Sequence, residues 1–234
     1  MLLPLRDNVP TNKTPIITYL LIMANIVVFL FELKLGNKLQ GFFTQVAPIP
    51  VEYWVPSLRE TIPLSKLVIA PFASMFLHGG WLHLLGNLWF LHLFGDNVED
   101  RMGRWNYLYF YIICGLAGSA AHIILQRHSN IPIVGASGAI FGVIGAYMFL
   151  FPRAKILTII PLFFFHIIEI PAFLYIGIYF LQQLLPGMAS FAVVAVGGVA
   201  YWAHIGGFVA GAFTHRYLIP SPSPQNKSRQ PPRV

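Results

Sequence analysis

The chain has 234 residues, of which 56% are hydrophobic and only 10% are Asp, Glu, Lys or Arg, and its formal net charge is +7. Soluble domains carry about 25% charged residues, so this composition excludes an ordinary water-soluble enzyme and points to an integral membrane protein. The positive charge does not imply a nucleic-acid partner, because the Lys and Arg residues flank apolar runs, as contact with lipid headgroups requires.

A bilayer core about 30 Å thick needs roughly 20 apolar residues per helix. Residues 1–14 read as a cytoplasmic N-terminal segment. The first span, 15–34, is too long for a signal-peptide core and lacks a small-residue cleavage site, so it is expected to be retained. Residues 35–66 form an external segment whose Phe42, Phe43, Tyr53 and Trp54 suit a loop resting in the membrane interface. The second span covers 74–95. The third, 105–126, holds the single Cys114, which excludes an intrachain disulfide. The fourth covers 136–151.

The fifth span, 163–185, and the sixth, 199–218, share an uncharged run from Ile170 to His215, divided at Leu185-Pro186-Gly187. Glu169, just before Pro171, is placed to complement the N-terminus of the fifth helix. Residues 219–234 read as a disordered cytoplasmic tail. The fold class is an all-α polytopic membrane protein: six helices over 15–218, with a short fourth. An even count puts both termini on one side, and cytoplasmic termini place ten of the 15 Lys and Arg residues inside.

Polar groups inside spans are costly and mark function. Counted upward from the cytoplasmic end of each even-numbered span, His83 lies at roughly 20 Å, Ser137 at roughly 22 Å and His204 at roughly 17 Å. Three helices thus bring three polar groups to one level in the outer half of the bilayer. Asn87 is one turn from His83, on the same face. From Gly135 to Phe151 the fourth span covers about 25 Å, too little to cross. Its helix should therefore begin inside the membrane after an irregular stretch around Asn130-Ile131-Pro132, which is tolerated only beside protein or a water-filled cavity. Ser137 then sits at a helix N-terminus facing a wet pocket, where free N–H groups can hold an oxyanion.

Small residues complete the pattern. Gly138, Gly142, Gly145 and Ala146 in the fourth span, and Gly207 and Gly211 as a GxxxG in the sixth, let helices approach closely. A short hydroxyl needs that approach to reach an imidazole. Phe141, four residues after Ser137, is placed to pack on the His204 ring. Taken singly, each signal has a plainer reading: a span serine bonds back one turn, GxxxG packs, and a membrane histidine is an interhelical donor. His78, His92, His122, His128, His166 and His215 are assigned to that plainer class or to interfaces. Agreement in depth is what points to one site.

These residues resemble those of the rhomboid intramembrane serine proteases. Gly135-Ala-Ser137-Gly138 is similar to the family's GxSG nucleophile motif, His83-Leu-Leu-Gly-Asn87 to the HxxxN of the second span, and Ala203-His204-Ile-Gly-Gly207-Phe-Val-Ala-Gly211 to the AHxxGxxxG of the last core span. The resemblance implies a six-helix core and a Ser–His dyad without a carboxylate, Ser137 being the nucleophile and His204 the base. It implies that His83 and Asn87 stabilise the oxyanion together with the Ser137 N–H. Gly135, Gly138, Phe141, Gly207 and Gly211 would support the dyad and helix packing. Substrates would be transmembrane proteins cut in or near a span, from a site open to the outside of a cell membrane, plasma or inner, with no metal or cofactor.

Two positions depart from the family pattern: Ile69-Ala70 stand where many members carry Trp-Arg, and Phe141 stands where tyrosine is frequent. Two rival readings are a catalytically silent relative that binds transmembrane helices, and a haem or proton carrier using His78 and His92 on one span. The sequence sets no oligomeric state.

Overall fold

The computed structural model describes residues 2–161, 165–191 and 199–220. The chain opens on a short strand, β1 (Leu3–Asp7), and enters the apolar helix α1 (Ile16–Leu35). Gly36, with φ of 50°, adopts a backbone that side chains disfavour and ends it. The segment expected as a loop, 35–66, is instead largely helical: α2 (Leu39–Val46), α3 (Pro50–Trp54) and α4 (Pro56–Arg59) precede α5 (Leu64–Ala73). Proline opens α3 and α4, where its missing N–H costs nothing. Lys66 reaches from α5 to the Glu52 carboxylate at 2.6 Å and clasps the two helices together.

Next come α6 (Trp81–Met102), α7 (Arg104–Leu125) and α8 (Ser137–Leu150). The expected second span, 74–95, is corrected by about two turns to α6, whose start follows an 80° bend after Phe76. Its far end runs on through Asp96, Glu99 and Asp100 because those acids have partners. Glu99, 3% exposed, accepts the N–H groups of Ile17 at 3.0 Å and Thr18 at 2.8 Å. They are orphan donors at the start of α1, where a carboxylate is favoured. Thr11 donates to Asp96, and Asn12 to Asp100.

The all-α expectation also needs correction. Two strands, β2 (Lys155–Pro161) and β3 (Phe165–Pro171), join β1 in an antiparallel sheet ordered β1-β2-β3. Residues 165–171 of the expected fifth span, 163–185, are therefore strand, residues 163 and 164 lie outside the described residues, and the helix of this stretch is α9 (Ala172–Ala189), starting after Pro171. In β2, Ile156 and Thr158 are buried while their neighbours are less so, the period of two that marks a strand. Glu169 caps no helix: it pairs across the strands with Lys155 at 2.8 Å. The turn expected at 185–187 is absent too, because Pro186 lies inside α9. The last helix is α10 (Tyr201–Leu218). Of the expected tail, 219–234, all but Ile219 and Pro220 lie outside the described residues.

The chain is mostly helical, and it is an integral membrane protein. Among the described residues, Ile16–Trp54, Arg104–Leu125 and Ala172–Ala189 are long and apolar enough to cross a bilayer, and the bent pair of α5 and α6 adds a fourth stretch. Large apolar side chains such as Leu20, Leu82, Trp105 and Phe213 cover the outside. Every residue of α8 from Gly138 to Tyr147 is buried, so α8 is enclosed on all sides and its small residues meet neighbours everywhere. At its lower end the Tyr147 hydroxyl donates to Asp7 and ties β1 to the bundle.

Candidate functional site

Glycines set the geometry. A Cβ on Gly207 would overlap the carbonyl of Gly138, and one on Gly211 the carbonyl of Gly142. The backbones of α8 and α10 are therefore in direct contact, which larger residues forbid. That contact places Ser137 Oγ 2.8 Å from His204 Nε2. The His204 ring lies flat against Phe141, with centroids 4.4 Å apart and planes 8° apart. Tyr179 of α9 continues the stack beyond Phe141 at 5.3 Å. At the other ring nitrogen, Nδ1, stands Oε1 of Gln183 at 2.9 Å.

The approach to Ser137 is equally constrained. Gly135 has φ of 129°, and a Cβ there would sit 2.8 Å from the His83 ring. Its N–H donates to the Ser74 carbonyl at 2.9 Å, pinning the entry to α8. His83 Nδ1 accepts the Gly79 N–H at 3.4 Å, so neutral His83 carries its proton on Nε2, the nitrogen beside Gly135. The Asn87 amide nitrogen is buried and bonds nothing among the described residues. The helical ladder of α8 begins with Ile140 N–H donating to Ala136, which leaves the N–H groups of Ser137, Gly138 and Ala139 without an acceptor among the described residues.

Ser137 opens on a cavity of about 530 Å³ lined by His83, Asn87, Ser137, Phe141, Tyr179 and His204, among others. The Asn87 amide nitrogen and the Ser137 N–H are donors at this wall, an arrangement that suits an oxygen gaining negative charge beside the Ser137 hydroxyl. All nine residues singled out from sequence lie in or beside this cavity or on the α8–α10 contact beneath it. His78 lies in the turn before α6, so His78 and His92 do not share a helix as the haem reading requires. Gln183 and Tyr179 escaped the sequence reading. The Gln182-Gln183 pair in an apolar stretch is a signal, but it does not say which amide faces inward.

A family model described as Rhomboid domain matches residues 67–221. Rhomboid protein 1, mitochondrial, of Saccharomyces cerevisiae is 32% identical over 176 residues, covering 74% of this chain and 47% of that protein. Rhomboid-like protein 11, chloroplastic, of Arabidopsis thaliana is 33% identical over 120 residues, 51% of this chain and 40% of its own length. Rhomboid protease GluP of Bacillus subtilis is 32% identical over 138 residues, 59% of this chain and 25% of that protein. The matched stretch thus spans less than half the length of each of these relatives.

Proposed function

The chain belongs to the rhomboid family, and we propose that it is an intramembrane serine endopeptidase that hydrolyses peptide bonds in or near transmembrane segments by a Ser137–His204 dyad. The observation that carries this reading is the 2.8 Å contact between hydroxyl and imidazole inside a donor-lined cavity. A relative named as a protease agrees with it.

In this reading Ser137 Oγ attacks the substrate carbonyl carbon while His204 Nε2 takes the hydroxyl proton. The tetrahedral oxyanion is held by the Ser137 N–H, the Asn87 amide and His83 Nε2–H. Collapse expels the amine, protonated by His204, and leaves an acyl group on Ser137. Water, deprotonated by His204 in turn, releases the second product. Phe141 keeps the ring plane, while Gly135, Gly138, Gly207 and Gly211 keep the distance.

The proposed domain covers 15–218, with α1, α6, α7, α8, α9 and α10 as six spans and α8 the short central one. Residues 35–66 lie on the outside, where the cavity opens, and both termini are cytoplasmic. The proposed location is a cell membrane, plasma or inner; relatives bear mitochondrial and chloroplast names as well, and fractionation decides between these compartments.

The test is cleavage of a single-span substrate in proteoliposomes, paired with fluorophosphonate labelling. Wild type should cleave and label at Ser137. Ser137→Ala and His204→Ala should each lose at least about 10³-fold in rate. Equal cleavage by wild type and Ser137→Ala refutes the proposal.

A further inference from the structure

Packing alone leaves a question about His204. Phe141 fixes the plane of the ring, but a neutral imidazole carries its proton on either nitrogen and stacks equally well in both forms. Only the form with a bare Nε2 accepts the Ser137 proton. The contact at the opposite nitrogen decides between them. Oε1 of Gln183, 2.9 Å from Nδ1, only accepts hydrogen bonds, so Nδ1 must carry the proton. Nε2 is then free to accept from Ser137 Oγ–H at 2.8 Å.

We propose that Gln183 is a positioning residue whose side-chain carbonyl holds His204 in the tautomer able to act as base and then partners Nδ1–H of the imidazolium. This deepens, and rests on, the protease reading above. An amide suits the place better than a carboxylate, because it accepts the same bond without bringing an unpaired charge into an apolar bundle. Gln183 and Tyr179 are four residues apart on one face of α9. Tyr179 backs Phe141 while Gln183 bonds the imidazole. One helix face therefore supports both the plane of the ring and its proton, and α9 must stay docked for His204 to be a competent base.

The test uses the full-length protein in proteoliposomes with a single-span substrate, over a range of pH. The titratable neighbours of His204 are His83 on α6, His122 on α7, Tyr179 on α9 and Tyr201 on its own helix. None is a carboxylate. Gln183→Met keeps the length of the side chain and removes the acceptor. It should lower kcat about 10- to 100-fold with KM unchanged, and it should move the acid limb of the rate profile to lower pH, because the imidazolium loses its partner. Gln183→Glu restores the acceptor, so it should recover activity and move that limb to higher pH.

Wild-type kcat in Gln183→Met, or a loss that only follows the folded fraction, overturns the proposal. If Gln183→Met does not fold, an unshifted acid limb in Gln183→Glu overturns it instead. Ser137→Ala and His204→Ala run alongside. If they cleave, the protease reading itself fails. If they are silent while the Gln183 variants match wild type, only the role of Gln183 fails.

Discussion

Two seams of this bundle are fastened by opposite means. Where α8 meets α10, backbone touches backbone: Gly207 lies on the Gly138 carbonyl and Gly211 on the Gly142 carbonyl. Where α1 meets α6 and the turn before it, buried carboxylates do the joining. Glu99 accepts two N–H groups and a hydroxyl from the start of α1, and Glu32, 1% exposed, accepts the His78 N–H near its other end at 3.1 and 3.2 Å. A glycine seam transmits a shift of any size directly, because close-packed backbone has no slack. A carboxylate seam depends on charge and hydrogen bonding. The pair that must hold a fixed distance is built on the first seam, and the scaffold around it leans on the second.

The sharpest way to break that contrast is one methyl group. Gly207→Ala must push α10 from α8, costing about 1–3 kcal/mol in thermal melting. Displacing the imidazole by about 1 Å should lower cleavage about 10²-fold in the folded protein. Gly177 on α9, whose added Cβ would meet open space, is the control. Gly177→Ala should keep activity and melt within about 0.5 kcal/mol of wild type. Matching losses in the two variants would show that the glycine seam holds nothing in particular.

Asn87→Ala comes next and separates chemistry from scaffold. Its amide nitrogen is buried without a partner among the described residues, so its removal takes none of their hydrogen bonds from that atom. As an oxyanion donor it should cost about 10²-fold in kcat with an unchanged melting temperature. A drop in melting temperature together with wild-type turnover would make it a structural amide. Glu99→Gln tests the other seam. Its amide keeps one accepting oxygen for the start of α1 and loses the other, so melting should fall by about 1–3 kcal/mol, with cleavage per folded molecule unchanged. Reduced cleavage per folded molecule would mean that the two seams are mechanically coupled.

How much of this is legible in the sequence differs along the chain for physical reasons. The length of α8 and the start of that helix at Ser137 follow from an apolar run too short to cross and from the glycines flanking it. The ends of α1, α7 and α10 follow from charges that stop apolar runs. The end of α6 does not, because Asp96 and Glu99 look like a boundary until their partners at the start of α1 are known. The β2–β3 pair hides for a different reason: Ile156-Leu-Thr-Ile-Ile160 is apolar enough for a span and β-branched enough for a strand, and only pairing with β1 decides. Pro186 reads as a breaker, yet a helix among helices tolerates it. The Ser137–His204 approach is legible because small residues and depth both point to it. The partner at Nδ1 is not, since the direction in which Gln183 faces depends on how α9 docks.

The smallest effect concerns pH and the join between β1 and the base of α8. Burial holds the Asp7 carboxyl above its ordinary range, although Tyr147 and the Val9 N–H donate to it and favour the charged form. A group whose value rises on folding gives its full stabilisation below the ordinary carboxylate range and loses it as pH climbs through the raised value. Asp7→Asn keeps an oxygen for Tyr147 and cannot ionise, so it lacks that loss. Melting of wild type and variant across the acid range should therefore diverge as pH rises, the variant gaining relative to wild type and the gap levelling off once Asp7 is ionised. A gap that narrows with rising pH would mean that the charged carboxylate is the stabilising form, and that this join follows the hydrogen bonds rather than the burial. Gly207→Ala leaves the Asp7–Tyr147 contact untouched, so its difference from wild type should show no divergence that follows the ionisation of Asp7.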